Sequence, residues 1–115
     1  MRKKNFKGRC EKRKIDKCVE VCRTYDPIQY AYADLLQVSD EVTEISCNIP
    51  LDGLEVGEHT SDFVCIKANG DLIVRECVHR RLLMKPLTVK LLDASRDYWL
   101  RHGVTDWGLV IDEEV

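Results

Sequence analysis

The chain has 115 residues, enough for one compact domain with a single hydrophobic core and too few for a second. Its apolar runs are far shorter than the roughly 20 residues of a membrane-spanning helix, and no secretion signal follows the basic N-terminus. We therefore expect a soluble, cytoplasmic protein that makes no membrane contact. Six cysteines in such a chain are more typical of reduced thiols or metal ligands than of a disulfide framework.

The net charge of −2 conceals a strong asymmetry. Residues 1–25 contain ten Lys and Arg against three Asp and Glu, whereas residues 26–115 contain eight against seventeen. Residues 1–25 therefore form a basic N-terminal arm, which either contacts a polyanion by displacing phosphate counterions or is a solvated tail. The candidate nucleic-acid contacts in this arm are Lys3, Lys4, Lys7 and Arg9.

The arm is expected to be mobile over residues 1–9 and to form a short helix over residues 10–25. That helix would place Ile15, Cys18, Val19 and Cys22 on one face. Residues 26–115 are expected to form the single folded domain.

Local signals predict the elements of this domain in chain order. Asp26 followed by Pro27 is a helix start, and the apolar spacing after it predicts a helix over 27–38. Residues 42–49 alternate enough to form a strand, and the glycines and acids that follow them indicate an exposed loop.

A β-hairpin comes next, with strands over 62–67 and 72–78 and an Asn-Gly turn between them. A helix over 86–101 follows, because Pro86 marks its start and Gly103 its end; its inward candidates are Val89, Leu92, Tyr98 and Trp99. Residues 105–112 are expected to form a buried final strand. The order α-β-β-β-α-β predicts an α/β domain with a mixed sheet flanked by helices, because the last strand-helix-strand unit needs a crossover.

The hairpin carries two acidic residues, Asp62 and Glu76, one on each strand. Because alternate strand residues share a face, we expect Glu76 and Val78 to face Asp62. Two carboxylates that converge in this way suit a hard divalent cation such as Mg²⁺ or Mn²⁺. Acids on both strands of a hairpin also occur by chance, as ordinary solvent-facing carboxylates.

This hairpin, the order of elements and the closing stretch KPLTVKLLDASRDYWLRHGVTDWGLVID resemble the N-terminal catalytic domain of TnsA, a transposon end-cutting endonuclease of the PD-(D/E)XK superfamily. The similarity spans about residues 26–112 and implies a restriction-endonuclease-like core. In that family a helix Glu, the Asp of a Pro-Asp-Phe motif, and an acid (or Gln) followed two residues later by Lys form the metal-dependent site. The matching residues here are Gln29, Asp62 and Glu76, with Val78 in place of the lysine.

Two of the four site positions therefore differ from the family, and both changes weaken the chemistry. Glutamine can ligate a metal through its carbonyl oxygen but brings no charge, and valine can neither orient a water nor stabilise a developing oxyanion. A relocated lysine, Lys85 or Lys90, is the alternative to inactivity. Arg80, Arg81 and Lys85 are candidate phosphate contacts or ordinary surface charges.

The cysteines offer a separate candidate site. Cys10, Cys18 and Cys22 could supply three thiolates to zinc, with Cys47, His59 or His79 as a fourth ligand, or they are simply free thiols. Trp99 and Trp107 are expected to be core or subunit-contact aromatics.

The resemblance implies a mobile-element protein that acts on DNA or within a transposition complex, together with a transposase or related proteins. Its cleavage activity is expected to be impaired or absent. The alternative is a catalytically dead nuclease fold that serves as a nucleic-acid-binding or protein-inhibiting module.

Overall fold

The structure, a computed structural model, describes residues 10–112. It begins with a short hairpin of β1 (Glu11–Arg13) and β2 (Cys22–Thr24), followed by helix α1 (Pro27–Val38). Three strands come next: β3 (Val42–Pro50), β4 (Thr60–Lys67) and β5 (Leu72–Val78). A 3₁₀ turn (Arg80–Leu82), helix α2 (Pro86–Arg101) and β6 (Asp106–Ile111) complete the described chain.

A four-stranded mixed sheet, in the order β3-β4-β5-β6, forms the centre of the described residues. The pairs β3/β4 and β4/β5 are antiparallel, whereas β5 and β6 are parallel because α2 crosses between them. One face packs on α1 through a cluster that includes Ile28, Leu36, Ile45 and Phe63, and the other packs on α2 around Val74 and Trp99. The predicted α/β class and mixed sheet are confirmed.

Local signals set the helix boundaries. Helix α1 covers the predicted residues, and the carboxylate of Asp26 caps it by accepting a hydrogen bond from the N–H of Gln29 (2.9 Å). Helix α2 also has the predicted bounds, and Gly103 after it has the left-handed φ of +85° expected of a helix-ending glycine. The side chain of Val89 was wrongly predicted to point inward, since it is 42% exposed.

The helix predicted for residues 10–25 is wrong. In β2, Cys22 and Thr24 are buried and Arg23 between them is exposed, which is the alternation of a strand. The preceding segment pairs with the edge of the sheet: Val19 N–H donates to the carbonyl of Ile45 (3.1 Å), and Ile45 N–H donates to that of Lys17 (2.8 Å). This pairing with a distant strand outweighs the helical spacing of the apolar residues.

The final strand, β6, was predicted to be buried and is not. It lies at the edge of the sheet, its residues are half-buried, and Leu109 is 42% exposed. These apolar residues belong to a strand that pairs with one neighbouring strand rather than two. No helix within residues 10–112 is long and apolar enough to cross a membrane.

Gly103 offers a test of the backbone requirement at the end of α2. A Cβ at this position would meet no atom within 4 Å, so Gly103→Ala introduces only the cost of a left-handed φ. We expect a loss of about 1 to 2 kcal/mol in the free energy of unfolding, measured by urea denaturation. Gly103→Asn should lose less, because Asn tolerates this conformation better. Equal stability of the alanine variant and the native chain would contradict the prediction.

Candidate functional site

Two acidic side chains join β4 and β5 where their regular pairing ends. The last paired residues on this side are Phe63 and Arg75. Beyond them, Glu76 Oε1 accepts a hydrogen bond from the main-chain N–H of Asp62 (2.9 Å), and Asp62 Oδ2 accepts one from the N–H of Cys77 (2.7 Å). Each carboxylate therefore takes the place of a main-chain carbonyl acceptor, with the greater strength of a charged acceptor.

Asp62 is tied to α1 through Gln29. The Nε2 of Gln29 donates to Asp62 Oδ1 (2.8 Å), while the Oε1 of Gln29 accepts from the main-chain N–H of Tyr25 (2.6 Å). Gln29 lies in the first turn of α1, and both Gln29 and Asp62 are 1% exposed. The structure thus brings together Gln29 and Asp62, two predicted site residues that lie 33 positions apart in the sequence.

Glu76 is tied to α2 through two serine hydroxyls. Ser61 Oγ (2.8 Å) and Ser95 Oγ (2.5 Å) both donate to Glu76 Oε2. The same hydroxyls accept hydrogen bonds from two indoles, Trp99 Nε1 to Ser61 (2.9 Å) and Trp107 Nε1 to Ser95 (3.1 Å). A continuous chain of donors therefore runs from two tryptophans through two serines to a carboxylate that is fully buried.

The predicted shared face of Asp62 and Glu76 does not hold. Asp62 bonds to α1 on one side of the sheet, and Glu76 bonds to the serines beside α2 on the other. Alternation follows the extended backbone, and it is interrupted in β4, because Ser61 bonds to Glu76 and Ser95 on the α2 side whereas Phe63 packs on the α1 side. The two carboxylates therefore point toward different helices.

The residues present do not fit a Mg²⁺ or Mn²⁺ site in this arrangement. Such ions need several oxygen atoms directed at one point, usually together with water. All four carboxylate oxygens of Asp62 and Glu76 instead accept hydrogen bonds from the protein, and the carbonyl oxygen of Gln29 is bonded to Tyr25. Burial of all three side chains also excludes a phosphodiester from reaching them.

His59 completes the surroundings of Glu76. Its Nε2 lies 3.4 Å from Glu76 Oε2, and its side chain is fully buried. Neither ring nitrogen makes a hydrogen bond within the described residues. The imidazole of His59 is therefore the nearest ring to the buried Glu76 carboxylate in this network.

The lysine missing from the family pattern has no replacement in the described residues. Val78 is 2% exposed, so the position itself belongs to the core. Lys85, the residue before α2, and Lys90 within α2 are both exposed, whereas Asp62 and Glu76 are buried and accept hydrogen bonds from other groups. Arg80 and Arg81 are also exposed. Lys3, Lys4, Lys7 and Arg9 lie outside the described residues.

A second constellation consists of three thiols, Cys18, Cys22 and Cys47, which we call the thiol cluster. Their sulfur atoms all lie within 4.8 Å of one another, and Cys22 Sγ is 3.6 Å from Cys47 Sγ. Cys10 was predicted to belong with Cys18 and Cys22, but Cys47 takes its place. The reason is the β1/β2 register: Cys22 lies opposite Arg13, whereas Cys10 lies beyond Glu11 at the other end of the hairpin.

Hydrogen bonding within the thiol cluster shifts the pKa values of its members in different directions. Hydrogen bonds from Cys18 and Cys47 lower the pKa of Cys22, with a smaller contribution from the guanidinium of Arg13. The hydrogen bond with Cys22 raises the pKa of Cys18, and hydrogen bonds with both neighbours raise that of Cys47. Cys22 is therefore the most acidic of the three thiols.

Sequence reasoning missed the partners of Glu76. Ser61 was interpreted only as the residue before the family aspartate, and Ser95 received no role. A signal was present in α2, because Thr88, Leu91, Leu92, Ser95 and Trp99 recur at helical spacing and form its buried stripe. A serine within such a stripe needs a polar partner in the interior.

Neither protein-family models nor curated protein sequences show a match to this chain. Its function must therefore be inferred from its own residues.

Glu76→Gln tests whether the buried carboxylate stabilises the fold. The amide would direct its N–H groups at donors that now point to an oxygen, so we expect a loss of about 2 to 4 kcal/mol in the free energy of unfolding. Urea denaturation followed by tryptophan fluorescence measures the change. The matched control is Glu44→Gln on the exposed face of β3, expected to change stability by less than about 0.5 kcal/mol. Equal effects of the two variants would refute the role assigned to Glu76.

Proposed function

We propose that this chain is a TnsA-like mobile-element protein whose restriction-endonuclease-like fold has lost metal-dependent cleavage and binds DNA, alone or within a transposition complex. One observation carries the proposal. Gln29, Asp62 and Glu76, which are far apart in the sequence, belong to one hydrogen-bonded chain that is closed to solvent.

The linkage supports descent from a nuclease site. The TnsA resemblance pairs Gln29 with a helix glutamate and pairs Asp62 and Glu76 with two strand acids. A site inherited from a metal-binding ancestor would gather these three positions in this way. The observed order α1-β3-β4-β5-α2-β6 is compatible with such a core.

The same linkage supports loss of cleavage. Hydrolysis of a phosphodiester needs a cation and a water placed against the phosphate. Here the Gln29 side-chain amide, two serine hydroxyls and two main-chain amides occupy the oxygens of the two carboxylates, and the lysine position is a buried valine. The polar atoms of the site therefore bond to other groups of the protein rather than to a cation or an attacking water.

DNA binding would then fall to exposed cations near the former site. We define the β5–α2 basic segment as Arg80, Arg81 and Lys85, all exposed on the connection that follows Glu76. The N-terminal arm supplies further positive charge, whereas residues 26–115 are acidic overall. An acidic body restricts phosphate contact to such local basic surfaces.

A second candidate function has its own observation. Met84 and Leu87 are 87% and 60% exposed beside the β5–α2 basic segment. Apolar side chains at that position suit a protein partner better than a phosphate backbone. A protein-binding or protein-inhibiting module is therefore the alternative.

Plasmid nicking tests the loss of cleavage. Purified native protein with Mg²⁺ or Mn²⁺ should nick supercoiled plasmid no faster than Asp62→Asn or Glu76→Ala variants, because the native carboxylates are buried and already bonded. Circular dichroism establishes that each variant is folded. Nicking by the native protein that disappears in the folded Asp62→Asn variant would overturn the proposal.

Fluorescence anisotropy with a short duplex tests DNA binding. Replacing the β5–α2 basic segment by alanine should weaken binding and reduce the slope of log K against log salt by about 0.9 for each phosphate that the protein no longer neutralises. The control is Arg96→Ala with Arg101→Ala, which removes exposed cations from α2 that are paired with its own aspartates. Unaltered binding by the first variant would refute this surface. No binding by the native protein would favour the protein-binding alternative.

A further inference from the structure

We propose that Cys18, Cys22 and Cys47 bind one zinc ion through three thiolates. With Zn–S bonds of about 2.3 Å, tetrahedral geometry places thiolate sulfurs about 3.8 Å apart. Cys22 and Cys47 are already 3.6 Å apart, and every pair in the thiol cluster lies within 4.8 Å. A zinc ion can therefore enter with sub-ångström adjustment of the side chains.

The fold holds the three ligands in place from three separate segments. Cys22 is on β2 and Cys47 on β3. Cys18 is fixed between two main-chain hydrogen bonds to Ile45, donated by Val19 and accepted by Lys17, and its own N–H donates to the carbonyl of Ile15 (2.9 Å). Backbones fixed in this way are the preorganisation that a metal site requires.

The ligand chemistry selects the class of ion. Thiolates are soft ligands that favour zinc over Mg²⁺ or Mn²⁺. Three thiolates and Zn²⁺ leave one negative charge, and Arg13, opposite Cys22 in the hairpin, provides a nearby positive one. Its guanidinium is held by Asp34 (2.7 Å) and by the carbonyl of Tyr30 (2.9 Å).

A water molecule would supply the fourth ligand, as in zinc sites with three protein ligands. No fourth histidine, cysteine or carboxylate joins the thiol cluster within residues 10–112. Cys47 also lines a cleft of about 840 Å³ between the β2 region and β3, which a water molecule can enter to complete the tetrahedron.

Zinc at this position would fasten the β1/β2 hairpin to the sheet. Strands of three residues are too short to be stable alone, and the hairpin meets β3 chiefly through the segment that carries Cys18. This inference concerns residues outside the hydrogen-bonded network of the buried acids and does not depend on the proposed DNA binding.

The test is metal binding by the reduced full-length protein. Zinc, titrated against a chromophoric chelator, should bind with a stoichiometry of one, and Co²⁺ in its place should give a thiolate-to-metal charge-transfer band. Cys47→Ser should weaken binding by more than the roughly 10- to 100-fold cost of losing an outer-sphere partner. Cys10→Ser is the matched control and should bind as the native protein does, because Cys10 is outside the cluster.

A second measurement needs no substitution. Zinc should protect Cys18 and Cys47 of the native protein, the two partly exposed members of the thiol cluster, from alkylation, detected by mass spectrometry of peptides, while Cys10 remains reactive. Native zinc affinity in folded Cys47→Ser, loss of affinity in Cys10→Ser instead, or no zinc binding by the fully reduced native protein would each overturn the proposal.

Discussion

The exchange of hydrogen bonds between two carboxylates and the main chains of β4 and β5 is the interaction on which this fold depends. Where regular pairing ends, Asp62 and Glu76 each accept an N–H from the opposite strand. The same two side chains then reach both helices, through Gln29 on one side and Ser95 on the other. One buried hydrogen-bonded network therefore joins β4 and β5 to both helices, α1 and α2.

This arrangement shows how one pair of acids can serve either chemistry or architecture. An exposed carboxylate pair with unfilled lone pairs attracts cations and water. When hydroxyl and amide donors fill those positions in a water-free interior, the interactions strengthen, and the cost of breaking any one of them rises. What remains for contact with other molecules is the surface around the site, including the β5–α2 basic segment.

The elements that could be predicted from the sequence were those with local causes. The Asp26–Pro27 start of α1, the Asn-Gly turn of the hairpin and the Pro86 and Gly103 boundaries of α2 are each determined by residues within a few positions of the feature. Gln29, Asp62 and Glu76 were also identified as a group, although only through resemblance to a family.

The remainder had distant causes. Within residues 10–25, β1 and β2 pair with each other, and the segment between them bridges to Ile45 of β3, more than twenty positions away. The faces of Asp62 and Glu76 depended on the interrupted alternation of β4 between Ser61 and Phe63, which strand periodicity does not predict. Cys47 joined the thiol cluster because folding places β3 beside β2, whereas spacing along the chain favoured Cys10.

The burial of the acids also bears on how a catalytic motif disappears during evolution. For a fold descended from a nuclease, exchanging the lysine for valine removes one exposed group and adds to the core. Exchanging either carboxylate leaves main-chain and hydroxyl donors unpaired in the interior, at a cost comparable to much of a small domain's stability. In such a fold, acids that had served catalysis would be retained by the requirements of folding, and an intact acid pair would be a poor sign of surviving activity. The lysine is the more informative position.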